Sequence, residues 1–485
     1  MKLKELFSDL NVLFWNADPE LEVSSVSSDS RKIQKGAAFV CLKGLKVDGR
    51  VWIPQSFEKG AVVAICQEKP EGDVPFVLVE DTRAALPLLL SNFYEHPEKS
   101  FRRIIGITGT NGKTTTSFMM KAIFDRAGCK TGLIGTTKYL VCDEEVRLDA
   151  GEALLTTPDP ELLFRLFAAM REKGVDTVIM EASSHALALK KLTGVPFDLG
   201  VFTNLTQDHI DFHKTMEDYL EAKKGLFRVA KKGILNCDDP AFDRLSENVP
   251  ANVVTYSAKG TADYTSVQVL SHDDKGITYS LRCGEEEREI FVSIPGSFTV
   301  YNSLAAIATA REEGIAWEPI QEALAEMSGV KGRIERIPTK TPYSVFIDFA
   351  HTPDALENIL KNLREFTSGR LITLFGCGGD RDKTKRPIMG GIACRLSDYV
   401  IITSDNCRSE KKEDIIRDIV AGAEGAGCEY ITVTDRTEAI RYALDHALPG
   451  DVILLAGKGH EEYEIDQNGK HEYSERKIVL EHIGE

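Results

Sequence analysis

The sequence lacks any long apolar run. A helix that crosses a bilayer needs about 20 consecutive apolar residues, and charged side chains interrupt every apolar stretch of the 485 residues, as Lys458 does after 452–456. The N-terminal segment places Lys, Glu and Asp among its apolar positions, unlike a secretory signal with its continuous apolar core. We therefore expect a cytoplasmic protein without a transmembrane segment.

Paired cysteines and an excess of basic residues are also missing. The 10 cysteines include no CxxC pair and no regular interval, which argues against a zinc ribbon and a disulfide framework. With 59 Lys and Arg against 75 Asp and Glu, the net charge is −16. Broad binding of nucleic acid requires a net basic surface. We therefore expect no nucleic-acid partner, and any anionic ligand must be bound by a local cluster of residues.

The sequence does contain an ordinary globular balance, with 42% apolar and 28% charged residues. At roughly 100–200 residues per domain, the length corresponds to about three domains. The polar stretch 95–100 is a candidate linker and 329–333 is a candidate second junction. We predict domains at 1–100, 101–330 and 331–485.

Strands and helices alternate through the second and third domains. A strand at 103–108, a glycine-rich turn and a helix at 114–127 follow in the order of a phosphate-binding unit. We therefore predict the α/β class, with a central P-loop-type domain and a C-terminal, doubly wound Rossmann-like domain. A more antiparallel patch is predicted at 252–257, 266–270, 277–281 and 289–294.

The glycine-rich turn, GITGTNGKTT at 106–115, is the strongest single motif. Its glycines let the backbone wrap a phosphate, Lys113 supplies positive charge, and the Thr114 hydroxyl can bind magnesium. Its spacing is a variant of the general pattern G-x-x-x-x-G-K-[ST], because Ile107 stands five residues before Gly112. We expect ATP or GTP as the ligand. The predicted binding residues are Gly109, Thr110, Asn111, Gly112, Lys113, Thr114 and Thr115.

A carboxylate and two histidines follow the next predicted strands. Glu181 ends the strand at 177–180, at the edge where α/β sheets place their ligands, and a carboxylate there suits magnesium. His209 and His213 lie four residues apart in DHIDFH at 208–213. A phosphate-metal site is the favoured interpretation, with zinc binding and a solvated polar loop as the alternatives.

The loop TGTNGKTTT at 108–116 resembles the signature of the Mur ligase family, ATP-dependent enzymes that add amino acids to the peptidoglycan peptide. Folylpolyglutamate synthetases share a related loop. Further elements resemble the Mur ligases in the same order along the chain: YLEAKKGLF at 219–227, GSFTVYN at 296–302, GRIE at 332–335 and DFAHTPD at 348–354. Thr299 stands where the family has Asn.

The resemblance implies roles for the nucleotide site. Lys113, Lys223 and His209 would be catalytic, and Lys223 would carry a carbamate. Thr114, Glu181, His209 and the carbamylated Lys223 would bind Mg²⁺. The remaining ATP contacts implied in this way are Asn302, Arg333, Asp348 and His351.

The resemblance also implies two substrate sites, and the chain departs from the family pattern at Leu189, Lys191 and Cys407. Ser30, Leu45, Lys46, Val47, Thr156, Thr157, Ser183 and Lys191 would bind the UDP-substrate. Arg386, Asp405, Asn406, Cys407, Arg408, Gly457 and Glu461 would bind the incoming amino acid. The three predicted domains would then bind UDP, ATP and the amino acid in that order.

The expected function is that of an ATP-dependent amide ligase in peptidoglycan precursor synthesis. It would add meso-diaminopimelate to UDP-MurNAc-L-Ala-D-Glu through an acyl phosphate, acting as a monomer. Arg408 favours diaminopimelate because this amino acid carries a second, distal carboxylate. The alternatives are the same ligase acting on L-lysine, a folylpolyglutamate-type ligase and a non-catalytic nucleotide-binding regulator.

Overall fold

The computed structural model describes residues 1–44, 47–149, 152–247, 252–327 and 329–484. The chain forms two compact units, Met1–Tyr256 with Ala305–Pro319 and Ser257–Leu304 with Ile320–Glu485. Both units combine helices with β-sheets, which confirms the α/β class. Within the described ranges, no helix is both long enough and apolar enough to cross a membrane.

The first unit begins with a small sheet and continues into a larger one. Its elements, in chain order, are α1 (Leu3–Leu6), β1 (Val12–Trp15), β2 (Ser25–Ser27), β3 (Ala37–Val40), α2 (Ile53–Glu58), β4 (Ala61–Cys66), β5 (Phe76–Val79), α3 (Thr82–Phe93), β6 (Arg103–Thr108), α4 (Lys113–Arg126), β7 (Thr131–Ile134), β8 (Tyr139–Val141), β9 (Glu144–Glu145), α5 (Pro160–Glu172), β10 (Thr177–Glu181), α6 (Ser184–Ala188), β11 (Leu199–Phe202), α7 (Ile210–His213), α8 (Met216–Phe227), β12 (Lys232–Asn236), α9 (Phe242–Ser246) and β13 (Val253–Ser257).

The remaining elements complete the chain, with α10 and α11 crossing the sequence limits of the units. They are β14 (Tyr264–Asp273), β15 (Gly276–Cys283), β16 (Glu286–Val292), α10 (Phe298–Glu312), α11 (Trp317–Glu326), β17 (Glu335–Ile337), β18 (Ser344–Asp348), α12 (Pro353–Arg364), β19 (Leu371–Phe375), α13 (Lys385–Leu396), β20 (Tyr399–Ile402), α14 (Lys412–Ala423), β21 (Glu429–Thr432), α15 (Arg436–Asp445), β22 (Val452–Ala456), β23 (Tyr463–Asp466), β24 (Gly469–Glu472) and α16 (Glu475–Ile483).

The small N-terminal sheet has the strand order β1-β5-β4-β3-β2. Its strands are parallel except for β1, which lies antiparallel at the edge. The predicted linker after this sheet is regular in part, with Pro97–Ser100 forming a 3-10 helix. Glu98 of that helix is buried and accepts a hydrogen bond of 2.7 Å from the Ser91 hydroxyl.

The larger sheet of the first unit runs in the order β13-β12-β11-β6-β10-β7-β8-β9. The strands from β13 to β7 are parallel, and β6 is buried along its whole length. The register pairs Glu181 of β10 with Ile107 and Phe202 of β11 with Thr108. The carboxyl ends of three neighbouring strands therefore lie level with one another, at the start of the glycine-rich turn.

One strand assignment was wrong. The stretch 252–257 was expected in the antiparallel patch, but β13 pairs in parallel with β12, with Val253 opposite Gly233. The connection between the two strands exceeds the roughly dozen residues that a parallel crossover needs, and it contains α9. The other three strands of the patch, β14 to β16, pair antiparallel as predicted.

The C-terminal sheet of the second unit has the strand order β17-β18-β22-β19-β20-β21. All strands are parallel except the edge strand β17. Side chains of β22 alternate between two cores: Leu454 packs with residues of α12, α13 and α14, and Leu455 packs with residues of α15 and α16. Helices therefore cover both faces, as expected for a doubly wound domain.

We expect Leu454→Ala to lower the free energy of unfolding by about 2–5 kcal/mol, because the Leu454 side chain is fully buried in the central strand of this sheet. Leu448→Ala is the matched control, since that side chain is 55% exposed. Urea denaturation followed by circular dichroism measures both variants. Equal destabilisation by the two substitutions would contradict this description of the core.

Candidate active site

The glycine-rich turn of the first unit joins the end of β6 to the start of α4. Gly109 has φ +152°, and a Cβ there would lie 1.9 Å from the Thr203 hydroxyl oxygen. Gly112 has φ +84° and precedes the first helical residue, Lys113. The first N–H groups of a helix have no partner within the helix, so the turn presents donors to an anion.

The segment that follows β11 holds the turn in place. The Thr203 hydroxyl donates to the Asn111 carbonyl oxygen at 2.6 Å, and the Asn111 N–H donates to the Asn204 side-chain oxygen at 2.9 Å. The Thr110 N–H donates to the Asn204 carbonyl oxygen at 2.8 Å. Lys113 reaches back over the turn and donates to the carbonyl oxygens of Gly109 and Thr110, both at 2.9 Å.

Glu181 is fully buried beside the turn. One carboxylate oxygen accepts the Thr136 N–H at 3.0 Å, and the other accepts the Thr136 hydroxyl at 2.9 Å. A Cβ on Gly135 would lie 2.5 Å from this carboxylate, so glycine is needed there. Each oxygen of a carboxylate has a second lone pair, so Glu181 keeps acceptor positions that its contacts with Thr136 do not use.

Several imidazole rings meet near the turn. The His185 ring centre lies 4.8 Å from that of His209 and 5.4 Å from that of His213. His213 Nε2 lies 2.9 Å from the Ser184 hydroxyl, and burial lowers the pKa of His213 to about 4. Among the described residues, no group of three or more His, Cys, Asp or Glu side chains could hold a metal ion.

Lys223 projects from α8 and is 1% exposed. Its ammonium lies 4.3 Å from the centre of the Tyr219 ring. In the described part of the chain, no carboxylate lies within ion-pairing distance of it. Burial and the charge of Lys113 lower the pKa of Lys223 well below its usual range.

One predicted UDP-substrate residue, Lys191, lines a groove of about 520 Å³ in the first unit. Its charged lining is mixed, with the cations Arg31, Lys32, Arg83, Arg165 and Lys191 and the carboxylates Asp29, Glu152, Asp159 and Glu161. Lys191 pairs with Asp159 at 2.7 Å.

The other predicted substrate residues of the first unit fall into two groups. Thr157 is buried and donates to the Glu181 carbonyl oxygen at 2.7 Å, while its hydroxyl accepts the Ser183 N–H at 2.9 Å. Thr156 lies 3.0 Å from the Thr136 hydroxyl. These contacts tie the predicted substrate loop to Glu181. Ser30 is half-buried and Val47 is exposed, whereas Leu45 and Lys46 lie outside the described residues.

In the second unit, Asn406 is the centre of the predicted amino-acid site. Its side-chain oxygen accepts hydrogen bonds from the Lys458 ammonium at 3.1 Å and the Ile465 N–H at 2.9 Å. Its NH₂ group therefore faces Glu461 and donates to that carboxylate at 2.8 Å. Gly457 has φ +115°, and a Cβ there would lie 2.7 Å from the Asp405 carboxylate. Lys458, which the sequence analysis missed, thus sets the orientation of Asn406.

The two predicted arginines differ in their surroundings. Arg386 is fully buried, and its guanidinium pairs with Glu410 at 2.9 Å and Asp418 at 2.8 Å. It braces the loop, and this position does not fit the predicted direct contact with an amino acid. Arg408 is half-buried and donates to the Gly379 carbonyl oxygen at 2.8 Å. In the described ranges, no carboxylate pairs with the Arg408 guanidinium.

The predicted nucleotide residues of the second unit have unlike environments. The Asp348 carboxylate accepts the N–H groups of Ile334 and Ala350, both at 2.8 Å, and burial raises its pKa. The Arg333 guanidinium lies 5.2 Å from the centre of the Phe349 ring. His351 is exposed, whereas Asn302 in α10 is buried. Cys407, which belongs to the predicted amino-acid site, is also buried.

A phosphate-binding turn at the edge of a parallel sheet, with a carboxylate at the end of the next strand, defines a nucleotide-dependent enzyme fold. Family models match as Mur ligase family, catalytic domain at 22–94, Mur ligase middle domain at 107–310, and Mur ligase, glutamate ligase domain at 332–459. The chain belongs to the Mur ligase family, and the expected family, fold class and ligase class are confirmed.

Individual relatives agree along the full length. The chain is 42% identical over 489 residues to UDP-N-acetylmuramoyl-L-alanyl-D-glutamate--2,6-diaminopimelate ligase 1 of Clostridium acetobutylicum, covering 100% of both chains. It is 43% identical to the 2,6-diaminopimelate ligase of Clostridium perfringens, covering 99% of each. A solved structure of such a ligase matches with a TM-score of 0.73 and 28% identity, covering 100% of this chain and 99% of that one.

We expect Arg386→Met to lower the free energy of unfolding by about 3 kcal/mol, because it leaves Glu410 without its buried partner. Arg417→Met is the control, since that side chain is 74% exposed.

Hydrogen bonding to Arg386 lowers the pKa of Glu410 from 4.5 to about 2. This stabilisation is present above pH 4.5 and is lost as the pH falls towards 2. The difference in the free energy of unfolding between wild type and Arg386→Met should therefore shrink in that range. A difference that stays constant over this range would contradict the role of the ion pair.

Proposed function

We propose that this chain is the ATP-dependent ligase that joins meso-diaminopimelate to UDP-MurNAc-L-Ala-D-Glu. ATP phosphorylates the γ-carboxylate of the D-glutamate residue, and an amine of diaminopimelate attacks the acyl phosphate. The products are the amide, ADP and phosphate. The full-length relatives named as 2,6-diaminopimelate ligases support this proposal. The structural observation that carries it is the Arg408 guanidinium, which has no carboxylate partner among the described residues.

The phosphate-binding turn supplies the phosphoryl-transfer half of the reaction. Lys113 already lies over the turn, 2.9 Å from two of its carbonyl oxygens, and would exchange these partners for phosphate oxygens. Thr114, Glu181 and His209 offer the donors for Mg²⁺, which would neutralise charge on the transferring phosphoryl group. Magnesium keeps several water ligands in such sites, so a small set of protein donors is sufficient.

Lys223 is proposed to carry a carbamate. Its burial without a carboxylate partner favours the neutral amine, the form that attacks CO₂. The reaction forms an N–C bond and releases one proton, which converts a potential cation into an anion. An anion at this position would join the magnesium cluster, whereas an ammonium would be repelled by it.

Lys223→Ala is expected to lose ligation activity, and a short carboxylic acid such as acetate should restore part of it by replacing the missing anion. Lys224→Ala is the control, because the adjacent side chain lies beside Glu221 at 3.6 Å and has no proposed role. Carbon-13 NMR of protein equilibrated with labelled bicarbonate measures the carbamate directly. A high-resolution map that shows unmodified Lys223 with Mg²⁺ and nucleotide bound would contradict the proposal.

Arg408 is proposed to select diaminopimelate over L-lysine. The two amino acids differ by one distal carboxylate, and a half-buried guanidinium without an acidic partner is suited to bind it. Asn406 and Glu461 are held beside each other and can receive an ammonium group. The full-length similarity to diaminopimelate ligases favours this function over that of a folylpolyglutamate-type ligase. A non-catalytic regulator would not hydrolyse ATP when both substrates are added.

The test compares kcat/KM for diaminopimelate and L-lysine in wild type and Arg408→Ala, with UDP-MurNAc-L-Ala-D-Glu and ATP. Loss of a charge-assisted contact should lower kcat/KM for diaminopimelate about 10- to 150-fold, with a far smaller change for L-lysine. Arg417→Ala, an exposed arginine of α14 paired with Asp414, should change neither value. A wild type that prefers L-lysine, or an Arg408→Ala variant that loses both activities equally, would reject diaminopimelate as the substrate.

A further inference from the structure

Tyr219 is not one of the residues proposed to bind phosphate or Mg²⁺. It belongs to α8, is 1% exposed, and lies one helical turn before Lys223. Its hydroxyl lies 3.1 Å from the Thr110 hydroxyl in the phosphate-binding turn. One aromatic side chain therefore connects the helix that carries Lys223 to the turn that carries Lys113.

The direction of this hydrogen bond follows from counting partners. The Thr110 hydroxyl donates its hydrogen to the Thr206 carbonyl oxygen at 3.1 Å, because a carbonyl oxygen can only accept. It also accepts the Thr206 N–H at 3.0 Å. A hydroxyl has one hydrogen and two lone pairs, so its remaining lone pair is left for Tyr219, which must be the donor. All three hydrogen-bonding positions of Thr110 are then filled.

The hydrogen bond from Tyr219 affects the phosphate-binding turn through Thr110. Its N–H donates to the Asn204 carbonyl oxygen at 2.8 Å, and its own carbonyl oxygen accepts the Lys113 ammonium at 2.9 Å. Fixing the side chain of Thr110 therefore fixes the peptide that orients Lys113. Without Tyr219 the turn would keep its contacts to the segment after β11 but lose its contact to α8.

The faces of the Tyr219 ring are also occupied by site residues. The Lys223 ammonium lies 4.3 Å from the ring centre, and the His213 ring packs at 5.0 Å with an interplanar angle of 31°. Replacement by Phe keeps both ring contacts and removes only the hydroxyl. This separates the role of the ring from that of the hydrogen bond.

We infer that Tyr219 is a positioning residue, whose hydroxyl holds Thr110 and thereby preorganises the phosphate-binding turn for ATP relative to Lys223. The inference rests on the proposed function, since it assumes that ATP is the nucleotide. A preorganised turn loses less conformational freedom when the ligand binds. Loss of the hydroxyl should therefore weaken nucleotide binding and leave the affinity for the UDP-substrate unchanged.

Calorimetric titration of the whole protein with ATP, without the other substrates, measures this directly. Tyr219→Phe should raise the Kd for ATP about threefold to tenfold, the range of one neutral hydrogen bond. Thr110→Val should raise it at least as much, and adding Tyr219→Phe to Thr110→Val should cause no further loss, because both remove the same contact.

Tyr279→Phe is the matched control, because Tyr279 is fully buried and its hydroxyl pairs with the Ser303 hydroxyl at 2.8 Å. It should leave the Kd for ATP unchanged. An unchanged Kd in Tyr219→Phe, or additive losses in the double variant, would overturn the inference. So would an equal loss of affinity for UDP-MurNAc-L-Ala-D-Glu, which indicates general damage to the fold. A wild type that binds ATP but does not ligate diaminopimelate would contradict the proposed function alone.

Discussion

The level carboxyl ends of β6, β10 and β11 are the constraint on which the nucleotide site depends. Parallel pairing sets Glu181 opposite Ile107 and Phe202 opposite Thr108. The turn that leaves β6 is therefore next to both a carboxylate and the polar segment at 203–206. This segment satisfies the backbone of the turn, so the helix N-terminus behind it stays directed at the ligand.

Buried cations in this protein fall into two kinds. Arg386 and Arg436 are fully buried and pair with carboxylates, which compensates for their removal from water. Lys223 is buried without such a partner in the described ranges, and Arg408 is half-buried without one. Leaving a positive charge uncompensated lowers stability, and it is tolerated where a ligand or a modification supplies the missing negative charge. Under the proposed function, a carbamate on Lys223 and the distal carboxylate of diaminopimelate beside Arg408 would supply these negative charges.

Much of the fold could be predicted from the sequence because its signals are local. The apolar strand before GITGTNGKTT and the helix after it are consecutive, and the structure places β6 and α4 within one residue of the predicted limits. The pairing direction of β13 could not be predicted in this way, because it depends on the path of the connection from β12. The domain limits at 100/101 and 330/331 stay predictions.

The same distinction applies to the site. Residue types and their position after strands select Lys113 and Glu181 as candidates, and the resemblance to the Mur ligases adds Lys223 and Arg408. They do not reveal that Arg386 is paired inside the protein, since Glu410 and Asp418 are distant in sequence. Tyr219 and Lys458 were missed as positioning residues because their roles depend on hydrogen bonds across 109 and 52 residues of chain.

The placement of Tyr219 and Lys223 on one helix limits how this region of the gene can change in length. The two residues lie four positions apart on α8 and face the same direction. One inserted residue between them would rotate Lys223 by about 100° around the helix axis, away from the phosphate-binding turn. Substitutions on the outer face of α8 leave this geometry intact, whereas insertions and deletions do not. Natural variation in the length of the chain should therefore be concentrated in its exposed loops and absent between these two positions.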